Sequence, residues 1–364
     1  MQEVIKRVEA ALTAIKNGDM VVVTDDNDRE NEGDLIMAAS LATPEKVAFM
    51  IRHTSGILCT PVTKDEAKRL KLDPMVADND SPHSTAFTVS IDYKPDLTTG
   101  ISAEERCNCI RALANANVAA EDFVRPGHIF PLIARDGGVL MRSGHTEAGI
   151  DLARLAGLPP VGLLAELVND DGTVQKGGQV TAFAKAHDLH LVSVADLIAY
   201  RQRRERLVTR EATFPVKTAI GHMQGYAYST PFDSVQHLAL VYGDISTGED
   251  IMVRLHTEQI LDDVFSGGGD LISSLEKIKK QGSGILVYLR EGGSGVPASA
   301  LFSSEREEHE SQKVRDDAWR DVGLGAQILK DLDIKTICLL SSKERTYVGL
   351  DGFGIQINKT ISSA

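Results

Sequence analysis

The spacing of apolar positions predicts a mixture of helices and strands in the first half of the chain. Val4, Val8 and Ile15 recur at helical spacing until Gly18, and the apolar run Met20–Val23 then predicts a buried strand. Further strands are predicted where apolar runs lie between polar loops, at 56–60, 86–91 and 161–168. Further helices are predicted behind residues that can cap them, at Thr43, Thr63, Ser102 and Ser193.

The pattern changes beyond residue 208, where short alternating segments replace the longer runs. His237–Tyr242 and Ile251–His256 alternate with period two, which is typical of strands in an antiparallel sheet. Two further strands and a helix are predicted at Ile285–Leu289, Thr336–Leu340 and Asp316–Leu332. We therefore expect two domains, at 1–205 and 209–364, which is also the natural expectation for 364 residues.

Composition narrows the class of protein. The chain is 42% hydrophobic and 25% charged, and no apolar run approaches the roughly 20 residues that span a bilayer. A net charge of −13 argues against nucleic-acid binding but leaves room for a local basic pocket that holds one phosphate. The four cysteines form no disulfide framework, and Met1–Arg7 does not read as a signal peptide, so we expect a cytoplasmic protein.

An acidic stretch directly follows the first predicted strand. Thr24–Asp34 holds six carboxylates in eleven residues, with Arg29 in its middle. Carboxylates packed this closely repel one another unless a cation neutralises them, and their hard oxygens suit Mg²⁺ or Mn²⁺ better than Zn²⁺. A solvated acidic loop is the alternative, but the buried strand before it and the embedded arginine weigh against that reading.

Three other stretches offer candidate chemistry. The polar loop Arg142–Thr146 runs into a helical pattern, and such a helix start can bind both phosphate and metal. The hydroxyl-rich turn Thr98–Ser102 can hold a phosphate or act only as a helix cap. Glu166 is a carboxylate in an apolar strand, which is costly unless it is paired or used, whereas a lone histidine such as His128 is more often structural.

Taken together, Asp28–Asp34, Gly127–Leu132 and Arg142–Glu147 resemble the 3,4-dihydroxy-2-butanone 4-phosphate synthase family, and Thr99–Ala103 also fits. The resemblance covers residues 1–205. It implies an α+β sandwich with a mixed sheet and a homodimer. It also implies a lyase that converts D-ribulose 5-phosphate to 3,4-dihydroxy-2-butanone 4-phosphate and formate in riboflavin biosynthesis. Two Mg²⁺ or Mn²⁺ ions and no organic cofactor are expected.

The resemblance also implies roles for individual residues. Glu30 and His145 match metal ligands, with Glu32 a second or water-mediated ligand, and His128 and Glu166 match residues essential for catalysis. The expected substrate contacts are Arg29, Glu30, Asp34, Arg142, Ser143, Gly144, His145, Thr146 and Glu166. Further active-site positions are Asp25, Cys59 and Thr99.

The second half resembles GTP cyclohydrolase II through Leu324–Leu329 and Tyr347–Leu350. It differs from that family at the residues that carry the chemistry. Gln259 stands where the first zinc-binding cysteine belongs, and Cys338 is the only cysteine in this half. The Gly-rich stretch Phe265–Asp270 lacks the expected Cys-x-Cys pair, and Arg290–Ser294 stands in place of the stretch that holds GTP. Ala318 replaces the aspartate expected two residues before Arg320. We therefore expect an inactive α+β domain without zinc. The alternatives are a bifunctional enzyme that also hydrolyses GTP and a non-catalytic regulator of flavin synthesis.

Overall fold

A computed structural model describes residues 2–25, 30–81, 85–231, 235–290, 323–341 and 355–362. The chain divides into a first unit, Met1–Tyr200, and a second unit, Arg201–Ala364. Seven α-helices begin in the described part of the first unit: α1 (Gln2–Lys16), α2 (Pro44–His53), α3 (Lys64–Arg69), α4 (Ala103–Leu113), α5 (His145–Leu155), α6 (Gly178–Ala186) and α7 (Val194–Arg204). Its strands are β1 (Val21–Thr24), β2 (Gly33–Ala38), β3 (Cys59–Val62), β4 (Ile91–Tyr93), β5 (Phe123–Ile133), β6 (Gly162–Glu166) and β7 (His190–Ser193).

The seven strands of the first unit form one mixed sheet, in the order β4-β5-β3-β6-β2-β1-β7. Helices cover both faces of this sheet. Val22, Leu35 and Ala165 face the core that α2 and α4 complete, while α5 packs on the opposite face of β2, β3 and β6. Because neither face of the central strands meets water, those strands are continuous apolar runs rather than alternating ones.

The predicted elements of the first unit mostly form, with shifted bounds. Thr43 accepts a hydrogen bond from the Lys46 backbone N–H at 3.3 Å, and Thr63 and Ser102 cap α3 and α4 in the same way. The strand expected at 56–60 lies at Cys59–Val62. The strand expected at 86–91 is wrong, because Phe87 and Thr88 make only isolated bridges and the paired strand is Ile91–Tyr93.

The second unit also contains one mixed sheet of seven strands, in the order β14-β13-β11-β12-β10-β9-β8. The strands are β8 (Thr209–Thr218), β9 (Gly221–Ser229), β10 (His237–Tyr242), β11 (Ile251–Thr257), β12 (Gly284–Leu289), β13 (Thr336–Ser341) and β14 (Gln356–Ser362). Helix α8 (Gly269–Gln281) packs on β11 and β12, and residues 323–331 form a further helix.

The prediction of an antiparallel sheet in the second unit is correct only for part of it. β10 pairs antiparallel with β9 and β12, but β11 pairs parallel with both β12 and β13. Alternation within a strand reports which face is buried and not the direction of the neighbouring strand. Within the described residues of both units, no helix is long and apolar enough to cross a membrane.

Gly127 brings β5 against β4, and we predict that Gly127→Ala destabilises the first unit by about 3 kcal/mol. A Cβ at this position would lie 2.0 Å from the carbonyl carbon of Ile91 and 2.3 Å from the backbone nitrogen of Asp92, so the two strands would have to separate. Gly178→Ala at the start of α6 is the matched control. No atom lies within 4 Å of its added Cβ, and alanine favours the helix. Urea unfolding of both variants measures the difference, and equal midpoints would contradict the prediction.

Candidate active site

The acidic loop after β1 is folded back on itself by the carboxylate of Asp25. One Asp25 oxygen accepts a hydrogen bond from the Glu30 backbone N–H at 3.0 Å, and the other accepts from the Glu32 N–H at 2.8 Å. Lys176 approaches the loop from outside, with Nζ 3.0 Å from the Glu30 carbonyl oxygen and 3.7 Å from Glu32 Oε1. The loop therefore holds Asp25, Glu30 and Glu32 at one end of the sheet. Arg29 lies outside the described residues.

Helix α5 brings His145 to this loop, because the helix begins at that residue. Donor atoms of Asp25, Glu30 and His145 all lie within 4.8 Å of one another. His145 Nδ1 is 3.6 Å from Asp34 Oδ1 and 3.9 Å from Glu30 Oε2. Two carboxylates and one imidazole at this separation form a donor set that fits Mg²⁺ or Mn²⁺, and Asp25 joins the two ligands expected from the sequence.

Strand register brings two further carboxylates to the same face of the sheet. Asp34 on β2 pairs with Glu166 at the end of β6, so both side chains lie on the face that α5 covers. Asp34 is only 2% exposed. Burial, followed by the nearby charges of Glu166 and Glu30, raises the pKa of Asp34 well above its ordinary value.

The pKa values of Glu32 and Cys59 are also raised in this buried, acidic environment. Burial, then repulsion from Glu30, raises the pKa of Glu32. Burial, then repulsion from Glu166 and Asp34, raises the pKa of the Cys59 thiol well above its ordinary value. A thiol with a raised pKa stays protonated at neutral pH, so Cys59 lines the cluster as a small neutral group.

Glu166 is oriented by the segment that follows α2. The Ser55 hydroxyl donates a hydrogen bond to Glu166 Oε2 at 2.7 Å, and the Ser55 backbone N–H donates to the Glu166 carbonyl oxygen at 2.8 Å. These two bonds fix both the side chain and the end of its strand. Ser55 was not among the residues singled out from the sequence, since nothing in its local pattern marks it.

The loop before α5 is held by two buried carboxylates of that helix. Glu147 accepts hydrogen bonds from Arg142 Nη1 at 2.7 Å and from the Arg135 backbone N–H at 2.9 Å. Asp151 accepts from the Val139 N–H at 2.9 Å. Arg142 also donates to the Thr85 hydroxyl at 3.1 Å. The arginine is thus fixed in position while its loop, with Ser143 and Gly144, leads into His145 and buried Thr146.

Gly144 and Gly138 make this arrangement possible. A Cβ on Gly144 would lie 2.5 Å from Arg142 Nη1, and a Cβ on Gly138 would lie 2.3 Å from both carboxylate oxygens of Asp151. Gly138 also has a φ of +64°, which disfavours other residues. Gly138 therefore lets the Asp151 carboxylate reach the loop backbone, and Gly144 leaves room for the Arg142 guanidinium beside Glu147.

His128 lies within the continuous strand β5 and pairs with Asp92 on β4. Its Nδ1 is 2.7 Å from Asp92 Oδ2, and its backbone N–H donates to Asp92 Oδ1 at 2.9 Å. The structure thus places His128 in a separate pair from the carboxylate cluster around His145. Asp92 was missed in the sequence, although a single polar residue between Ile91 and Tyr93 is the same signal that marked Glu166. Thr99 is exposed beside this pair, and Gly100 packs directly against it.

Comparison with known proteins identifies this arrangement. A family model described as 3,4-dihydroxy-2-butanone 4-phosphate synthase matches residues 9–200, and one described as GTP cyclohydrolase II matches residues 209–362. The chain belongs to the 3,4-dihydroxy-2-butanone 4-phosphate synthase family. The first unit is thus a synthase domain that converts ribulose 5-phosphate in riboflavin biosynthesis, and a domain of the GTP cyclohydrolase II type follows it.

Curated relatives match this chain over nearly its whole length. The riboflavin biosynthesis protein RibBA of Bacillus mycoides is 44% identical over 368 residues, covering 98% of this chain and 92% of the relative. The protein of the same name from Nocardia farcinica is 45% identical over 371 residues, covering 97% of this chain and 89% of the relative.

Solved structures agree with the synthase fold. RibBX from A. baumannii, a two-domain 3,4-dihydroxy-2-butanone 4-phosphate synthase, is 35% identical with a TM-score of 0.81, covering 97% of this chain and 99% of its own. A synthase crystallised with two magnesium ions is 42% identical with a TM-score of 0.53, covering 54% of this chain and 97% of its own. The expectation of two mixed-sheet α+β domains is confirmed.

The second domain retains a polar cavity of about 500 Å³ at the carboxyl ends of β11 and β13. His256 Nε2 lies 2.9 Å from Asp263 Oδ1, and the Tyr288 hydroxyl donates to Asp263 Oδ2 at 2.8 Å. Burial lowers the pKa of His256 and raises that of Tyr288. Gln259 lines this cavity, while Arg320 and Tyr347–Leu350 lie outside the described residues.

The raised pKa of Asp34 gives the metal-free synthase a pH-dependent stability. The folded state keeps a proton that the unfolded chain loses above pH about 4, so the free energy of unfolding falls as pH rises through the folded pKa. We predict that Asp34→Asn raises the unfolding temperature in EDTA at pH 8 and that the gain shrinks towards pH 4.

Glu121→Gln is the control for this measurement, because its effect on the unfolding temperature should have the opposite sign. Hydrogen bonds from its own backbone N–H and from Lys71 lower the pKa of exposed Glu121, so this substitution removes stability at pH 8 and none at low pH. Thermal unfolding from pH 4 to pH 8 compares the two variants. If the unfolding temperature of Asp34→Asn depended on pH as that of the unmodified protein does, the Asp34 carboxyl would not be the source of the pH dependence.

Proposed function

We propose that Asp25, Glu30 and His145 hold the divalent ion at which the first unit converts D-ribulose 5-phosphate to 3,4-dihydroxy-2-butanone 4-phosphate and formate. The observation that carries this proposal is the meeting of these three donors within 4.8 Å, beside buried Asp34. When bound, Mg²⁺ or Mn²⁺ polarises the carbonyl and hydroxyl oxygens of the sugar and lowers the cost of a developing enediolate. The site can neutralise two ions, because five carboxylates surround it: Asp25, Glu30, Glu32, Asp34 and Glu166. Glu32 is the further metal ligand.

The remaining site residues bind the substrate or move its protons. Arg142, fixed by Glu147, takes the phosphate together with Ser143, Gly144 and Thr146 at the start of α5. The sugar lies between this loop and the acidic loop, within reach of Asp34 and Glu166. Arg29 is a further substrate contact that the resemblance implies. Thr99 contributes from the turn beside His128.

Glu166 and His128 exchange protons with the carbon chain. A base must take a proton from carbon to form the enediol, and an acid must protonate the departing hydroxyl. Glu166 is held by Ser55 and His128 by Asp92, so each proton-transfer group has a fixed orientation before substrate binds. The His128 side chain is 40% exposed and Glu166 is half-buried, so both groups can meet a bound sugar.

We place the synthase domain at 1–205 and the second domain at 209–364, and we propose a cytoplasmic homodimer whose partner is its phosphosugar substrate, without nucleic acid or membrane. The second domain is proposed to bind no zinc and to be non-catalytic. A zinc site that activates water needs three protein ligands and an open position, and this half has one cysteine, Cys338, on β13. RibBX, described as a two-domain synthase, supports a second domain without its own reaction.

We predict Mg²⁺-dependent formate release from ribulose 5-phosphate, lost in EDTA and restored by Mg²⁺ or Mn²⁺. Glu30→Gln and His145→Asn should lower kcat on the order of 10²-fold or more and weaken Mn²⁺ binding measured by electron paramagnetic resonance. Exposed Glu104→Gln on α4 is the matched control and keeps both properties. Formate release that continues unchanged in EDTA would refute the metal assignment.

For the second domain, we predict less than one zinc per four chains, and no formate from GTP under conditions in which ribulose 5-phosphate yields formate. A zinc content below about one quarter of an ion per chain is taken as adventitious metal rather than as a bound zinc site. Elemental analysis of the full chain, purified without added metal, gives the first value and a formate assay gives the second. GTP-dependent formate release that Arg320→Ala abolishes would instead support the bifunctional alternative.

A further inference from the structure

A hairpin-shaped loop continues the strand that carries Glu166 and returns the chain to the acidic loop. The Leu167 backbone N–H donates to the Gly33 carbonyl oxygen at 2.8 Å, and the Gln175 N–H donates to the Leu167 carbonyl oxygen at 2.9 Å. We call residues 167–180, which comprise this hairpin and the start of α6, the clamp segment. It connects the end of β6 to the start of β2.

The tip of the clamp segment is ordered by its own residues. The Asn169 N–H donates to the Thr173 carbonyl oxygen at 2.7 Å. Asp171 accepts hydrogen bonds from the Thr173 hydroxyl at 2.6 Å and from the Thr173 N–H at 2.9 Å, and these bonds lower the pKa of Asp171. Because all of these contacts are local, the shape of the tip depends on neither metal nor substrate.

Lys176 is the residue of the clamp segment that contacts the acidic loop. It forms an isolated antiparallel bridge with Glu32, and its Nζ donates to the Glu30 carbonyl oxygen at 3.0 Å. The same Nζ lies 3.7 Å from Glu32 Oε1. Burial, then repulsion from Glu30, raises the pKa of Glu32, and the charge of Lys176 opposes that rise. One cation therefore contacts both the backbone and a carboxylate of the loop.

Apolar contacts anchor the other end of the clamp segment. Val180 on α6 is completely buried, and a Cβ on Gly33 would lie only 2.4 Å from Val180 Cγ1. Further along α6, the rings of Phe183 and His187 lie 6.4 and 5.2 Å from the ring of Phe49 on α2, measured between centroids. Lys176 is thus presented to the acidic loop by a segment that is fixed on both sides.

We propose that the clamp segment holds Glu30 and Glu32 in position before metal and substrate bind, and that Lys176 is a positioning residue for the synthase reaction. This inference rests on the proposed role of Glu30 as a metal ligand. Without metal, the Lys176 ammonium offsets part of the repulsion among the carboxylates and bonds the loop backbone. The loop is therefore ordered when the ion arrives, and Lys176 acts on the reaction through Glu30 and Glu32.

Removal of the Lys176 charge has two opposing effects on metal binding. A more negative loop attracts a divalent ion more strongly, but the Lys176 side chain is 52% exposed, and salt screens such attraction within about 8 Å at roughly 0.15 M ionic strength. Loss of the bond to Glu30 lowers the fraction of molecules whose loop is ordered, and the apparent affinity falls by the same fraction. At this ionic strength we expect the loss of order to outweigh the gain in attraction.

The test compares Lys176→Gln, Lys176→Arg and Lys185→Gln in the full chain. Arginine keeps the charge and the donors of Lys176. Lys185→Gln is the matched control, because it removes the same charge from an exposed position on α6. The Lys185 side chain makes no hydrogen bond or ion pair with any residue that the structure describes.

Hydrogen exchange in EDTA measures the order of the loop without metal. The Glu30 and Glu32 N–H groups donate to Asp25, so peptides that contain them should be protected in the unmodified protein. Lys176→Gln should speed exchange in these peptides at least about threefold, whereas Lys185→Gln should leave it unchanged. Lys176→Arg should retain most of the protection.

Mn²⁺ titration followed by electron paramagnetic resonance at roughly 0.15 M ionic strength gives the second measurement. Lys176→Gln should weaken Mn²⁺ binding about 3- to 10-fold, and Lys176→Arg less than about twofold. At saturating Mg²⁺ the ion itself holds the loop, so Lys176→Gln should keep kcat within about threefold of the unmodified enzyme. A loss of metal affinity with kcat retained distinguishes positioning of the loop from a part in the chemistry.

The outcomes separate this proposal from the proposed function. Exchange of the Glu30 and Glu32 amides at the rate of an unfolded peptide, in the metal-free unmodified protein, overturns the clamp without any variant. Equal or tighter Mn²⁺ binding in Lys176→Gln also overturns it, and the proposed function stands as long as Glu30→Gln loses Mn²⁺ binding. Normal Mn²⁺ binding and normal kcat in Glu30→Gln overturn the proposed function itself.

Discussion

Repulsion among carboxylates at one edge of the first sheet is the constraint on which the active site depends. Asp25, Glu30 and Glu32 come from one loop, and Asp34 and Glu166 come from paired strands. The backbone donors on Asp25 and the cation Lys176 offset part of this charge. Burial, and after it the charges of Glu166 and Glu30, raises the pKa of Asp34. A divalent cation removes the repulsion, so the energy that burial stores in this cluster favours metal binding.

Helix α5 organises the other side of the site. Its first residue is His145, and its buried carboxylates Glu147 and Asp151 hold the loop that carries Arg142. The proposed metal ligand His145 and the proposed phosphate ligand Arg142 are therefore both held by one helix, which packs against the sheet bearing Asp34 and Glu166. Such support is what a site needs when its groups must be positioned before the substrate arrives.

In the second domain, the fold and the proposed absence of a zinc site depend on different residues. Its mixed sheet, its helix α8 and the cavity at the ends of β11 and β13 are all present, and buried His256, Asp263 and Tyr288 are joined by hydrogen bonds. Apolar strands and helix packing specify that sheet and do not require thiolates, so the architecture can persist with glutamine at 259. Function resides in particular side chains placed on a fold rather than in the fold itself.

The sequence by itself determined the two-domain organisation, most elements and the acidic, histidine and arginine motifs, because these depend on local periodicity, caps and residue chemistry. Only the tertiary structure decided that β11 lies parallel to its neighbours, that Asp34 faces Glu166, and that Asp92 holds His128. Partners such as Ser55 and Glu166 lie far apart in the chain, and strand register and burial bring them together. Local sequence carries no record of which distant residue will be opposite, so such contacts depend on the packed fold.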